Sequence, residues 1–208
     1  MKKLFLSLSA VLLVSTVAFA QLRVGTTGSL QFARVNIKTP LGPDVVDNIL
    51  GFQAGILLNA ALTDNFSLRP QLLYSAKGFK RSDSSVDTKA LFNYVEMPVQ
   101  LMYAIKSGPG RFALGAGPYI GYGLGGKTTM TFRGESDSFD VEFGSERNQL
   151  KRLDIGLYLS AGYELASGLI LSVYHAPGLT NLSNAPVSEG SVKNTAFGAS
   201  VGFLFCRK

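Results

Sequence analysis

The stretch whose reading decides the fold runs from Arg152 to Leu165, RLDIGLYLSAGYEL. Leu153, Ile155, Leu157, Leu159, Ala161, Tyr163 and Leu165 take every second position. Between them stand Arg152, Asp154, Gly156, Tyr158, Ser160, Gly162 and Glu164. A period of two belongs to a strand, whose side chains point alternately to opposite faces. One face here is apolar throughout, and the other is small or charged.

The same alternation recurs along the chain. Phe66, Leu68, Pro70, Leu72 and Tyr74 alternate with Ser67, Arg69, Gln71, Leu73 and Ser75. Leu91, Val95, Met97, Val99, Leu101, Tyr103 and Ile105 oppose Tyr94, Glu96, Gln100 and Lys106. Phe112, Leu114, Ala116, Pro118, Ile120, Tyr122 and Leu124 oppose Arg111, Ala113, Gly115, Gly117, Tyr119, Gly121 and Gly123. Eight such segments are predicted, near 22–37, 49–62, 66–80, 89–106, 111–127, 152–165, 168–181 and 194–206. The first and seventh alternate least cleanly.

A soluble barrel would turn its apolar face inward; a membrane barrel turns it toward lipid. Three features favour the membrane. The polar rows are Gly, Ala and Ser with isolated charges of both signs (Arg69, Glu96, Arg111, Asp154, Glu164), which suits a narrow interior better than a wetted face. The segments exceed the roughly 9–11 residues a tilted membrane strand needs. Aromatics (Phe66, Phe79, Phe92, Tyr103, Phe112, Tyr122, Phe205) cluster toward segment ends, where an interfacial girdle is expected.

The connections point the same way. TDN (63–65), SGPG (107–110) and ASG (166–168) are short. Those at 38–48, 81–88, 128–151 and 182–193 are long and polar. Membrane barrels keep short turns on the periplasmic side and long loops outside. An even strand count then leaves both termini periplasmic. Loop 128–151 is the longest, and its FDVEF suggests a hairpin projecting beyond the membrane; it is also the expected contact for any envelope or extracellular protein partner.

The first twenty residues have another character. Lys2 and Lys3 precede an apolar run that closes on Ala18-Phe19-Ala20, the three parts of a secretory signal. Residues 1–20 are therefore expected as a cleaved signal peptide and 21–208 as one barrel domain. Cleavage removes two lysines and lowers the formal charge from +6 to +4. That charge is dispersed, with no block suited to nucleic acid. The single cysteine, Cys206, forms no disulfide framework and no zinc motif.

Three stretches invite a chemical reading. GYGLGGKT (121–128) fits the phosphate-loop pattern. That loop needs a helix after it, whereas TMTFRGESDSFDVEF follows, so no nucleotide is expected. His175, the only histidine, lies in SVYHAPGLTNLS near Ser172 and Thr180, on the expected lipid-facing row with Leu171 and Val173. A lipid acyl hydrolase or transferase using His175 is the alternative to a non-catalytic role; a soluble periplasmic ligand-binding barrel is the third reading. Asp137, Asp140, Glu142 and Glu146 match no calcium-loop spacing and read as a solvated face. No catalytic, cofactor-binding or metal-binding residue is assigned.

The chain resembles the PorT-like outer-membrane β-barrel family. The resemblance is carried by GFQAGILLNAALTDNFSLRPQLLYSAKGFK (51–80), FNYVEMPVQLMY (92–103), GAGPYIGYG (115–123), LDIGLYLSAGYEL (153–165) and GLTNL (178–182). It implies an eight-stranded barrel in the outer membrane and little about activity; the expectation is an antiparallel up-and-down transmembrane barrel in outer-membrane lipid with a structural, adhesive or assembly/secretion-associated role. It carries no catalytic motif. Eight strands leave an interior that side chains fill, so the inward charges are expected as a salt-bridged plug and no large pore is expected.

Overall fold

The computed structural model describes residues 22–205 apart from 41, 45, 84, 85, 148 and 187–189. The signal peptide expected at 1–20 and the tail Cys206–Lys208 lie outside the described residues. Ten strands follow in order: β1 (Leu22–Thr39), β2 (Gly42–Asp44), β3 (Ile49–Ala61), β4 (Phe66–Asp83), β5 (Val86–Ser107), β6 (Gly110–Phe132), β7 (Glu135–Val141), β8 (Leu153–Leu165), β9 (Leu169–Pro177) and β10 (Ser191–Leu204). Eight of them form the wall, each antiparallel to its sequence neighbours. β10 returns to β1 from Gly25↔Leu204 to Lys38↔Ser191, which closes the barrel. Closure leaves no open edge in the wall, which a strand surrounded by lipid requires.

The two remaining strands decorate the long-loop end. β2 lies against the end of β1, from Ile37↔Asp44 to Thr39↔Gly42. β7 folds back on the upper part of β6, from Gly126↔Val141 to Phe132↔Glu135. The lower part of β6 pairs with β8 instead. The hairpin expected from FDVEF is therefore present. Arg133 and Gly134 make its two-residue turn with φ of 50° and 89°, the left-handed pair that such a hairpin turn demands.

Two expected boundaries differ. The second long connection, 81–88, is mostly strand, because the alternation runs on through Phe79, Arg81 and Asp83 and through Val86 and Thr88, and Asp83 pairs with Val86. The seventh strand ends at Pro177 rather than near 181. The chain beyond it turns inward, with Leu179 and Thr180 donating backbone N–H to the Ile155 carbonyl.

The facing of the wall decides its surroundings. Leu157 and Leu159 are each 42% exposed, whereas Asp154 is 0% and Glu164 8% exposed. Leu30, Phe32, Leu72, Leu101, Leu114, Ile120, Leu171 and Val201 are exposed in the same outward rows. A soluble barrel would bury these side chains, so that alternative is excluded. An apolar band around a closed barrel calls for hydrocarbon.

Aromatics mark the short-turn end of that band. Phe66 meets Tyr103 at 5.0 Å between ring centroids, Phe112 meets Tyr163 at 4.9 Å, and Phe203 meets Phe205 at 5.7 Å. Tyr122 stands ten residues beyond Phe112 on β6. At the usual rise and tilt that spans roughly 25 Å, the height of a barrel's apolar belt. Phe79 and Phe92 were expected in the girdle but face inward. Phe92 shares the parity of Tyr94 and Glu96, and Phe79 that of Lys77, so both pack in the interior above the ionic layer.

Candidate functional site

The barrel's interior is its one concentrated polar feature, and it is organised in layers. Nearest the short turns, the Arg69 guanidinium pairs with Glu164 and donates to Asn59 Oδ1 at 2.8 and 3.1 Å. These residues come from β4, β8 and β3, so this layer ties together strands distant in the wall. Arg111 was expected to join the plug through a carboxylate. It sits at the rim instead and donates to the backbone carbonyl of Asp64.

Above this lies a layer of neutral donors and acceptors. Gln71 donates to Gln100 at 2.9 Å, and Gln100 donates to Ser160 at 2.7 Å. Gly115 leaves these side chains room to meet. A Cβ would stand 2.4 Å from Met102 Sδ and 2.6 Å from both Gln100 Nε2 and Ser160 Oγ. A cavity of about 40 Å³ for water centres remains between Arg69, Gln71, Gln100, Ser160 and Tyr158. That is room for about three waters, not for a solute stream.

The central layer holds the buried charges. Lys77 Nζ lies 2.5 Å from Glu96 Oε1 and 4.0 Å from Asp154 Oδ2. It also stands 4.7 Å from the ring centroid of Tyr119 and 5.9 Å from that of Tyr94. Glu96 accepts from Gln53 at 2.9 Å. Asp154 accepts from Asn194 at 2.9 Å and from the Tyr119 hydroxyl at 3.1 Å. Charges can stay in such a space only when paired and hydrogen-bonded, and six of the eight wall strands supply the partners. Beneath, Tyr158 and Tyr174 stack at 4.8 Å, and Tyr174 donates to Gln31.

The long-loop mouth is closed by an apolar lid that the sequence did not announce. Phe143, just after β7, turns inward onto Tyr94 (5.7 Å) and Phe92 (6.4 Å), with Val35 and Ala90 beside them. Gly123 makes room, since a Cβ there would stand 2.6 Å from the Phe143 ring. Asn184 fastens the loop by donating to the carbonyls of Gly144, Glu146 and Gln149 at 2.9, 3.0 and 3.0 Å. Polar plug and lid together obstruct the lumen in succession, leaving the small cavity beside Gln71 and Gln100.

The other flagged residues lie apart from this interior. Residues 121–128 are strand, their amides in the β5–β6 ladder, so no phosphate-binding loop forms. His175 is on the outward face, with its Nε2 3.3 Å from Thr195 Oγ1. Ser172 bonds Ser200 instead, and Thr180 bonds the Ile155 backbone, so neither approaches His175. Asp137 and Asp140 stand exposed on β7, and Glu142 accepts from Gln149. Among the described residues no three acidic, His or Cys side chains are placed to hold a metal ion.

A family model described as outer membrane protein beta-barrel domain matches residues 19–184. No curated protein matches the chain. Among solved structures, Neisserial surface protein A shares 16% identity, with 88% of this chain and 97% of that chain covered and a TM-score of 0.47. OprG from Pseudomonas aeruginosa shares 15%, with 89% and 95% covered and a TM-score of 0.42. Ail, the attachment invasion locus protein of Yersinia pestis, shares 13%, with 88% and 99% covered and a TM-score of 0.40. The family match extends over most of the wall whose outward rows are apolar, and this chain belongs to the outer membrane protein beta-barrel domain family.

Proposed function

We propose that this protein is a PorT-like outer-membrane barrel with a structural, adhesive or assembly-associated role, no catalysis and no large pore. The observation that carries this reading is the filled lumen: Arg69–Glu164, Lys77–Glu96 and the Phe143 lid block it in succession. With the interior occupied, what remains to meet a partner is the outside, above all the β6–β7 hairpin and the loop that follows it. Both termini belong on the periplasmic side, and the long loops outside. Planar-bilayer recordings of the refolded chain test the claim about the pore. Brief, small events or silence are expected, and a stable porin-sized conductance overturns it. Surface labelling of a cysteine placed at Ser136 in intact cells tests the orientation.

The alternative, a lipid-modifying enzyme, draws on the His175–Thr195 contact at the edge of the apolar band. A histidine can activate a hydroxyl, but a third group usually orients it. Among the described residues no carboxylate hydrogen-bonds His175. Cells carrying His175→Ala are expected to keep the parental lipid acyl profile. A lost acyl modification in both His175→Ala and Thr195→Val strains establishes the enzyme instead.

A further inference from the structure

The outward face of the barrel has two unlike ends. At the short-turn end its rows finish in aromatic pairs. At the long-loop end the first charge met beyond the apolar band is a cation on five strands of the wall: Arg34 on β1, Lys80 on β4, Lys89 on β5, Lys127 on β6 and Lys193 on β10.

Three of these cations converge. Lys80 and Lys89 are direct cross-strand partners. Lys127 is the partner of Leu91, one outward step from Lys89. All three are exposed, and none forms an ion pair among the described residues. Three carboxylates share this face, none of them in an ion pair with the lysines. Asp47 is the bridge partner of Lys80, Asp140 is the register partner of Lys127, and Asp87 lies one outward step beyond Lys89. Below the lysines the same rows are apolar, with Leu91 on β5 and Tyr122 and Leu124 on β6. Like charges directly opposite each other destabilise a strand pair unless an anion sits between them. Ammonium groups on long stems just outside an apolar band reach the level of lipid head groups.

We propose that Lys80, Lys89 and Lys127 bind the phosphate of a phosphorylated lipid head group, whose acyl chains lie over Leu91, Leu124 and Tyr122. The orientation proposed above makes this the outer leaflet, where phosphorylated glycolipid is the abundant anion. Binding to the purified protein does not depend on orientation, so the two ideas fail separately.

The full chain is refolded in micelles free of charged lipid. It is then titrated with bis-phosphorylated lipid A, with the same lipid lacking its phosphates, and with inorganic phosphate. Retained lipid is counted by native mass spectrometry, and folding is checked by heat-modifiability. The wild type is expected to retain bis-phosphorylated lipid A. K80Q/K89Q/K127Q is expected to bind it about a hundredfold more weakly, while K80R/K89R/K127R keeps it. The single variant K89Q gives a second signature. Its unfolding temperature rises above wild type in charge-free micelles, and its gain on adding lipid A shrinks. Equal retention by the triple glutamine variant overturns the proposal. So does equal retention of the dephosphorylated lipid, or equal protection by inorganic phosphate. If the triple variant does not fold, K89Q decides, and an unfolding temperature shifted like wild type by lipid A overturns the proposal.

Discussion

Lys77 and Glu96 face each other inside the barrel with Nζ and Oε1 2.5 Å apart, both side chains 1% exposed. One comes from β4 and the other from β5, adjacent strands whose inward rows meet at this level. Asp154, 4.0 Å from the same ammonium, brings β8 into the cluster. The single lysine therefore serves two carboxylates.

Lys77→Met leaves both carboxylates without their cation and is expected to cost about 3–5 kcal/mol. Urea titration of the barrel in lipid vesicles measures it. Adding Glu96→Gln to that variant should recover a substantial part, because one stranded charge is then removed. A single-variant cost below about 1 kcal/mol would show that the cluster does not hold the strands together.

The outward rows make a separate prediction. Leu157→Arg places a cation in the hydrocarbon belt and should destabilise the folded state by about 2–4 kcal/mol, whereas Leu157→Phe should be close to neutral. Nitroxide labels at 157 and 159 should be relaxed by oxygen dissolved in lipid. Labels at 154 should not be reached by that oxygen.

Phe143→Ala removes the lid while leaving the ionic layer beneath it. Amide exchange near Phe92, Tyr94 and Gly123 is expected to quicken. Conductance should stay far below that of a porin, since Lys77, Glu96 and Arg69 still obstruct the path. Gly123→Val attacks the same contact from the wall, and overpacking against the ring should cost about 1–3 kcal/mol.

Asn184→Ala deletes three hydrogen bonds to the carbonyls of Gly144, Glu146 and Gln149. The loss should be local: faster protease cleavage between 144 and 149, with unchanged heat-modifiability of the barrel. A large fall in barrel stability would mean that this loop is part of the cooperative fold, not an appendage.

The wall was legible in the sequence because the period of two is clean in most spanning segments, and parity alone assigns Arg69, Glu96, Asp154 and Glu164 to the inside. Extending that parity through Leu73 and Ser75 would have put Lys77 inside too, but the residue was not singled out, because it lies past the quoted alternation and its partners are remote in sequence. Phe92 was misread for a related reason. Aromatic character near a segment end suggested a girdle, while its parity with Tyr94 and Glu96 pointed inward. The lid left no comparable signal. Phe143 and Asn184 lie in aperiodic loops, and what places them is a fit between segments about forty residues apart, which no local pattern encodes.

The pairing of β1 with β10 has a temporal consequence. Fourteen positions of the first strand find their partners only in the last one made. Until residue 191 and those after it emerge, two raw strand edges stand open and every hydrophobic stave is wet. Such a chain has no stable half-way house in the aqueous gap it must cross. The fourteen residues Ser191–Leu204 are the latch that ends the exposure of both edges.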